Sequence, residues 1–459
     1  MAVWSVIKTS DIATSKRTDA DYFKPEYMDL SKKLTTIKAI FLRKDLEFVR
    51  CGPFGSTITC DTYIDNGVVV ARPFNIDRME FQYENIAFIS HNDVIKKGLH
   101  LYSYGDIFFS RVGDIKVGFL SKNDDYPKVT ISPNIIAARI KQNTIRSEYL
   151  VVFLNTHYGI KQIERGLKVV AQPTISTSLI QNLRVYIPTE TIQDQISQIF
   201  QEAIYNKIKS QKNFAKAQQL LESELGLDKL SFGKPVGYTA RFSEVIANSR
   251  TDADYYQLKY KQLDNIAAKF PVKKIRAISE KLETGSYSLS YSSEGRMYLR
   301  GVDINKGFIN SDSILRTKHL AANLKNTVIK DDILVTRVGS IGVCAIIENT
   351  HAGSLYSDNL IRIRISDQVK EEINAQYLNL LLNTTYGQMQ MVRYSRGSVQ
   401  QRLNQSQLAL IPVPIIKWEN QLKIERLLKK HRKDITESKQ LLDQAKTRVE
   451  QLIEEAVRR

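Results

Sequence analysis

Arg17-Thr18-Asp19-Ala20-Asp21-Tyr22 recurs as Arg250-Thr251-Asp252-Ala253-Asp254-Tyr255, 233 residues later. Six identical residues at a collinear position mark an internal repeat, the feature that most constrains a fold. Outward from this stretch, further echoes follow in the same order. Gly105-Asp106-Ile107 with Ser110-Arg111-Val112-Gly113 matches Asp331-Asp332-Ile333 with Thr336-Arg337-Val338-Gly339. Ser132-Pro133-Asn134-Ile135-Ile136 matches Ser357-Asp358-Asn359-Leu360-Ile361, and Leu154–Gly159 matches Leu382–Gly387. Ile187-Pro188 with Gln195-Ile196 pairs with Val413-Pro414 and Gln421-Leu422. Offsets run only from 225 to 233. A period that long is a duplicated domain, not a solenoid unit. Residues 51–104 and 281–330, by contrast, share little. One scaffold carrying two different readout surfaces is the expectation.

Each copy follows one plan. Gly67–Ala71, Ile86–Ile89, Asp106–Phe109 and Ile135–Ala138 read as strands, as do Asp332–Val335 and Leu360–Ile365. The pattern turns helical around Tyr149–Gly159 and Tyr377–Gly387. Proline-bearing strand ends follow at Pro188 and at Pro412 with Pro414. A long apolar stripe then runs from about Thr191 to Leu225, where Gly226 is a natural stop, and a second from Glu419 to Arg458. Their three-and-four spacing predicts a coiled-coil seam, each helix roughly 50–60 Å long. Two such helices are expected to pair antiparallel and hold two domains apart. The fold class is therefore α+β: two similar α/β domains, a pseudo-twofold repeat and two spacer helices. The expected partition is 1–188, 189–228, 229–414 and 415–459.

Composition narrows the function. Among 459 residues, 66 Lys and Arg stand against 49 Asp and Glu, a net charge of +17. Such an excess favours an anionic partner, nucleic acid first. The second half carries most of it: +12 for residues 231–459 against +5 for 1–230. The opening MAVWSVIKTSD lacks an apolar leader segment, and no apolar run reaches membrane-spanning length. Cys51, Cys60 and Cys344 form neither a disulfide framework nor a zinc motif. A reducing cytoplasm is expected. Phosphate-cradling, dinucleotide-binding and metalloprotease motifs are missing. Gly52-Pro53-Phe54-Gly55-Ser56 bears glycines, but Pro53 removes an amide donor, so it reads as a turn. Asp19, Asp21, Asp252 and Asp254 have no third ligand beside them, and capping or bonding to a helix of the other repeat is expected. A binding protein, with no catalysis and no metal of its own, is the reading.

Reading DNA takes basic or amide groups at base edges and further basic groups on phosphates. The first half offers Arg72, Arg78, Lys96, Lys97, Arg111, Lys116 and Arg139. The second offers Arg296, Arg300, Arg337, Arg362, Arg396, Gln400 and Arg402. Arg111 and Arg337 hold the same place in both repeats, so they are expected on phosphate or structure. Base-specific residues belong in the dissimilar middles and in Lys161–Gln172 and Met389–Gln401.

In its order of motifs the whole chain resembles the specificity subunit of type I restriction–modification systems, HsdS. The resemblance rests on the RTDADY opening, the [ST]RVG turn, the LNTxYG helix and the closing blocks reading IP…QDQI and VP…ENQL. The second proline of that closing signature is replaced by Thr189 and Ile415. The resemblance implies a non-catalytic subunit whose two domains each read half of a split, asymmetric site in double-stranded DNA. It implies two methyltransferase subunits that use S-adenosylmethionine, and two motor/nuclease subunits that use ATP and Mg. Two other readings are a specificity subunit of a fused nuclease–methyltransferase and a coiled-coil scaffold without sequence readout. A nuclease with a dispersed metal site is a third.

Overall fold

The computed structural model describes residues 5–142, 144–167, 174–233, 237–288, 290–311, 314–318, 327–396 and 402–459. The chain divides into two compact units. Unit 1 is Met1–Ile208 with Asp434–Arg459, and unit 2 is Lys209–Lys433.

Seven strands of unit 1 carry its two main sheets: β1 (Leu46–Cys51), β2 (Val68–Ala71), β3 (Ala87–Ile89), β4 (Ile107–Ser110), β5 (Val117–Phe119), β6 (Val129–Ile131) and β7 (Ile135–Ile140). They form a four-stranded sheet in the order β1-β7-β4-β5 and a three-stranded sheet in the order β3-β2-β6. Only β2 and β6 run parallel. Residues alternate between the two faces of a strand. Phe108 and Ala137 therefore turn one way, into a core with Val69, Ala71, Ile131 and Tyr102. Ile107, Phe109, Ile136 and Ala138 turn the other way, against helices α1 (Ser147–Leu154) and α2 (His157–Gly166). Burial on both faces explains why β4 reads Ile-Phe-Phe-Ser without alternation.

Unit 2 repeats this plan. Its strands are β8 (Glu283–Thr284), β9 (Arg296–Leu299), β10 (Leu315–Thr317), β11 (Ile333–Thr336), β12 (Cys344–Ile346), β13 (Leu355–Tyr356) and β14 (Leu360–Ile363). The sheets are β8-β14-β11-β12 and β10-β9-β13, with β9 and β13 parallel. Leu334 and Leu360 face Leu299 and Tyr356, while Ile333, Val335 and Ile361 face the helical side. The dissimilar middles thus share one topology, strand for strand.

Two long helices close the units. In chain order the helical elements continue as α3 (Glu190–Leu225), α4 (Ala375–Asn383), α5 (Thr385–Tyr394) and α6 (Trp418–Arg458). The unit boundary falls inside both α3 and α6. In unit 1, Ile196 and Phe200 of α3 share a core with Ala445, Val449 and Ile453 of α6 and with the sheet. In unit 2, Ser210 hydrogen-bonds His431, while the later Leu221 and Leu225 share a core with the earlier Ile424 and Leu428. The helices are therefore antiparallel there. Each segment packs on its partner and on the domain together, because its apolar stripe is wide enough to meet both.

Two points of the sequence reading need correction. The helical stretches are each two helices, broken where Thr156 and Thr384 cap the second one by accepting from Gly159 and Gly387 N–H. Pro188 and Pro414 are also not equivalent. Tyr149 donates to Tyr186 O and Tyr377 to Pro414 O, so Pro414 answers to Tyr186. Likewise Gln193, not Gln195, matches Gln421: each accepts from a backbone N–H, of Arg146 or Asn374, and donates to a carbonyl, of Pro188 or Ile416.

Candidate DNA interface

The RTDADY stretch is structural in both units. Arg17 forks onto Asp19 (2.5 and 2.7 Å) and donates to the carbonyls of Gly166 and Leu167 at the end of α2. Arg250 forks onto Asp252 (2.6 and 2.6 Å) and donates to the carbonyls of Tyr394 and Ser395 at the end of α5. The helix served belongs to the same repeat, which corrects the expected bond to the other one. Cationic donors at a helix C-terminus satisfy its orphan carbonyls. The Arg17 guanidinium holds the Asp19 carboxyl below its ordinary value, and Arg250 does the same to Asp252. Tyr22 lies between Arg17 and Arg165, with guanidinium carbons 4.9 and 4.2 Å from the ring centre. Tyr255 lies between Arg250 and Arg393 at 4.9 and 4.5 Å.

The motifs that matter for a ligand meet elsewhere, at one end of the sheets. In unit 1 the turn Ser132–Ile135 collects four segments. Ser132 N–H donates to Ala71 O at the end of β2, and Gly52 N–H, after β1, donates to Ile135 O. Arg111 N–H donates to Asn134 O, and Ile175 N–H to Arg111 O. Unit 2 repeats all four bonds: Ser357 to Leu299, Gly285 to Leu360, Arg337 to Asn359 and Leu403 to Arg337. Gly52 and Gly285 are demanded by the closeness of this crossing. A Cβ at Gly52 would stand 2.0 Å from Ser132 O, and one at Gly285 1.9 Å from Tyr356 O. The Ser and Thr of the [ST]RVG turn complete the frame: Ser110 Oγ donates to Asp114 O and Thr336 Oγ1 to Ser340 O.

The basic residues expected at DNA separate into two groups. One group is engaged by partners within the protein. Arg139 forks onto buried Asp106 (2.7 and 2.7 Å), as Arg364 does onto Asp332. Arg362 is only 5% exposed and donates to Glu283 (2.6 Å) and Thr327 O. Arg300 pairs with Asp303 at 3.1 Å, Arg72 donates to Asn85 O, and Arg337 donates to Asp358 O. Lys97 stands 3.9 Å from Asp93.

The other group is open. Arg78, Lys96 and Arg296 are exposed, Arg111 and Lys116 half-buried, and no side-chain partner exists for any of them among the described residues. Arg396 and Arg402 are exposed and exchange backbone hydrogen bonds, beside the junction at Leu403. Gln400 lies outside the described residues, with the rest of 397–401 and with 168–173. Arg111, Arg337 and Arg402 thus sit on or next to the junction, Arg78 at the tip of the hairpin Ile76–Phe81, and Lys96 on a short separate helix, His91–Lys96. The sequence reading passed over Lys306, which is exposed at the hairpin tip equivalent to that of Arg78. Among the described residues no three His, Cys, Asp or Glu side chains converge as a metal site, and no helix is long and apolar enough to cross a membrane.

A sequence model of the type I restriction modification DNA specificity domain matches residues 255–447. That stretch contains the junction of unit 2, whose strand order and four junction bonds unit 1 repeats. Residues 255–447 therefore carry a domain of the type I restriction modification DNA specificity kind. No curated protein sequence matches it. Among solved structures it is similar to the type I restriction–modification S subunit from M. genitalium, at 12% identity and a TM-score of 0.46, over 91% of this chain and 95% of that one. It is also similar to the HsdS subunit from Thermoanaerobacter tengcongensis, at 11% identity and a TM-score of 0.29, over 91% and 96% of the two chains. In this chain the duplicated junction varies in side chain while staying fixed in backbone.

Proposed function

We propose that this chain is the DNA-reading, non-catalytic subunit of a type I restriction–modification complex. The carrying observation is the junction, built twice from the same backbone bonds and dressed with different side chains. Each unit then reads one half of a split, asymmetric site in double-stranded DNA. Arg111 and Arg337 neutralise phosphates, which position the protein without carrying sequence. The helices α3 and α6 set the gap between half-sites, as rigid protein spacing does in other two-part readers. Their outer faces dock two methyltransferase subunits that methylate adenine with S-adenosylmethionine, and motor/nuclease subunits bring ATP and Mg. The proposed setting is the cytoplasm.

The test is single-molecule methylation sequencing of host DNA with and without the gene for this chain. The expected result is loss of one split motif with a modified adenine in each half. An unchanged methylome in cells that make the methyltransferase partners would overturn the proposal. Deleting three or four residues from α3 is expected to alter the gap and keep both half-sites.

A further inference from the structure

Two loops leave the junction in each unit, and each carries one large apolar side chain outward. Phe54, two residues beyond Gly52, is 88% exposed, and Phe74, in the turn Pro73–Asn75, is 60% exposed. Tyr287 and Val302 occupy the same two places in unit 2, and each is 71% exposed. Scattered single apolar residues are normal on a protein surface. These four differ because the same two positions stay apolar and exposed in both units, although the loops around them have diverged. Pro53 answers to Ser286, Pro73 to Gly301 and Asn75 to Asp303. Nothing in the fold asks for this. The neighbouring core residues Ala71 and Leu299 are fully buried, so the junction is stable without the outward chains.

Their surroundings indicate what covers them. The open cation Arg111 flanks this crossing in unit 1, Arg337 holds the same backbone place in unit 2, and Arg78 and Lys306 cap the next hairpin. An apolar tip set among cations fits a ligand with an anionic rim and a flat apolar interior. A DNA duplex is such a ligand, with phosphates outside and stacked bases within. We infer that Phe54 with Phe74, and Tyr287 with Val302, are apolar wedges that press between base steps of the two half-sites. This rests on the DNA-reading assignment above and adds a mode of recognition to it. Apolar side chains inserted at a base step unstack it and kink the duplex. The cost depends on the step, least at pyrimidine–purine steps, so the wedge reads deformability as well as base edges.

The test uses the full complex of this chain with its methyltransferase subunits, on duplexes carrying the mapped motif. 2-Aminopurine is placed in turn at every position except the methylated adenines. The wild type is expected to brighten the probe at one step in each half-site. Phe54→Ser with Phe74→Ser is expected to abolish that signal in one half-site only and to weaken cognate binding about tenfold, within the usual loss per stacked base. Tyr287→Ser is expected to act on the other half-site, and Phe54→Trp to retain the signal. The slope of affinity against salt is expected to stay unchanged, because no charge is removed. Unchanged affinity and fluorescence in the serine variants would overturn the wedge and leave the DNA-reading assignment standing. Loss of a methyltransferase subunit from the serine variant, seen by size exclusion, would overturn it too, by assigning the patch to a protein contact. A wild-type complex that binds no split motif would instead sink the parent assignment.

Discussion

Residues 51–104 and 281–330 hold one turn by two different chemistries. In unit 1, Asn75 accepts from Arg72 N–H and donates to the carbonyls of Gln82 and Glu84. In unit 2, Asp303 accepts from Arg300 N–H and then takes the Arg300 guanidinium at 3.1 Å. Both Asn75 and Asp303 are fully buried, so each must satisfy its polar atoms internally. The backbone around them is the same: Gln82 N–H donates to Asn75 O, and Asn310 N–H to Asp303 O. The lesson is that strand pairing and carbonyl bonds fix these loops, leaving side chains free to diverge. A reader of two unlike half-sites, the function proposed above, would use that division of labour.

The comparison breaks most sharply at the glycines. Gly52→Val and Gly285→Val each force a side chain onto a carbonyl oxygen, and each is expected to destabilise its unit by about 3 kcal/mol and abolish methylation directed by that half-site. Unfolding in urea and half-site methylation check this, and unequal effects would show that the two junctions are not one device. Next come Asp106→Asn and Asp332→Asn, which leave Arg139 and Arg364 facing a neutral partner. The expected loss is about 2 kcal/mol in each unit, again by urea unfolding.

Arg111→Ala and Arg337→Ala sharpen the comparison more gently. Both are expected to weaken binding without changing the bases read and to lower the salt slope by about 1. A change of motif in either variant would make that arginine a base reader. The smallest effect is with pH. Asp19 and Asp252 have carboxyls held below their ordinary values by arginine. A lowered folded value gives stability that is present above the unfolded value and lost as pH falls through the folded one. Both Asp19→Asn and Asp252→Asn are therefore expected to flatten acid destabilisation below about pH 4, measured by melting temperature.

Much of the fold was legible in the sequence. The RTDADY recurrence, the strand runs and both long stripes fall where the elements are, because each signal is local and periodic. The identity of the middles was not legible, since it lives in backbone bonds that many side chains permit. Its trace was the Arg-x-x-Asn and Arg-x-x-Asp spacing at 72–75 and 300–303. Pro188 and Pro414 misled because proline was matched by letter, while the register is set by the tyrosine bonds to Tyr186 and Pro414 carbonyls. Among the expected DNA contacts, Arg139 and Arg362 could not be sorted from the open cations. Their partners Asp106 and Glu283 lie 33 and 79 residues away. Phe54, Phe74, Tyr287 and Val302 carry neither charge nor amide, so nothing in their letters marks them as DNA contacts.

The division of the long helices between units bears on how the chain is made. Unit 2 is one continuous stretch, Lys209–Lys433, and all of it is joined before residue 434. Unit 1 is begun first and finished last, because Ala445, Val449 and Ile453 fill a core opened by residues of its first 208. Domains generally close during synthesis in the order they are made. Here the core opened by the earliest residues can be closed only after residues 445–453 are joined.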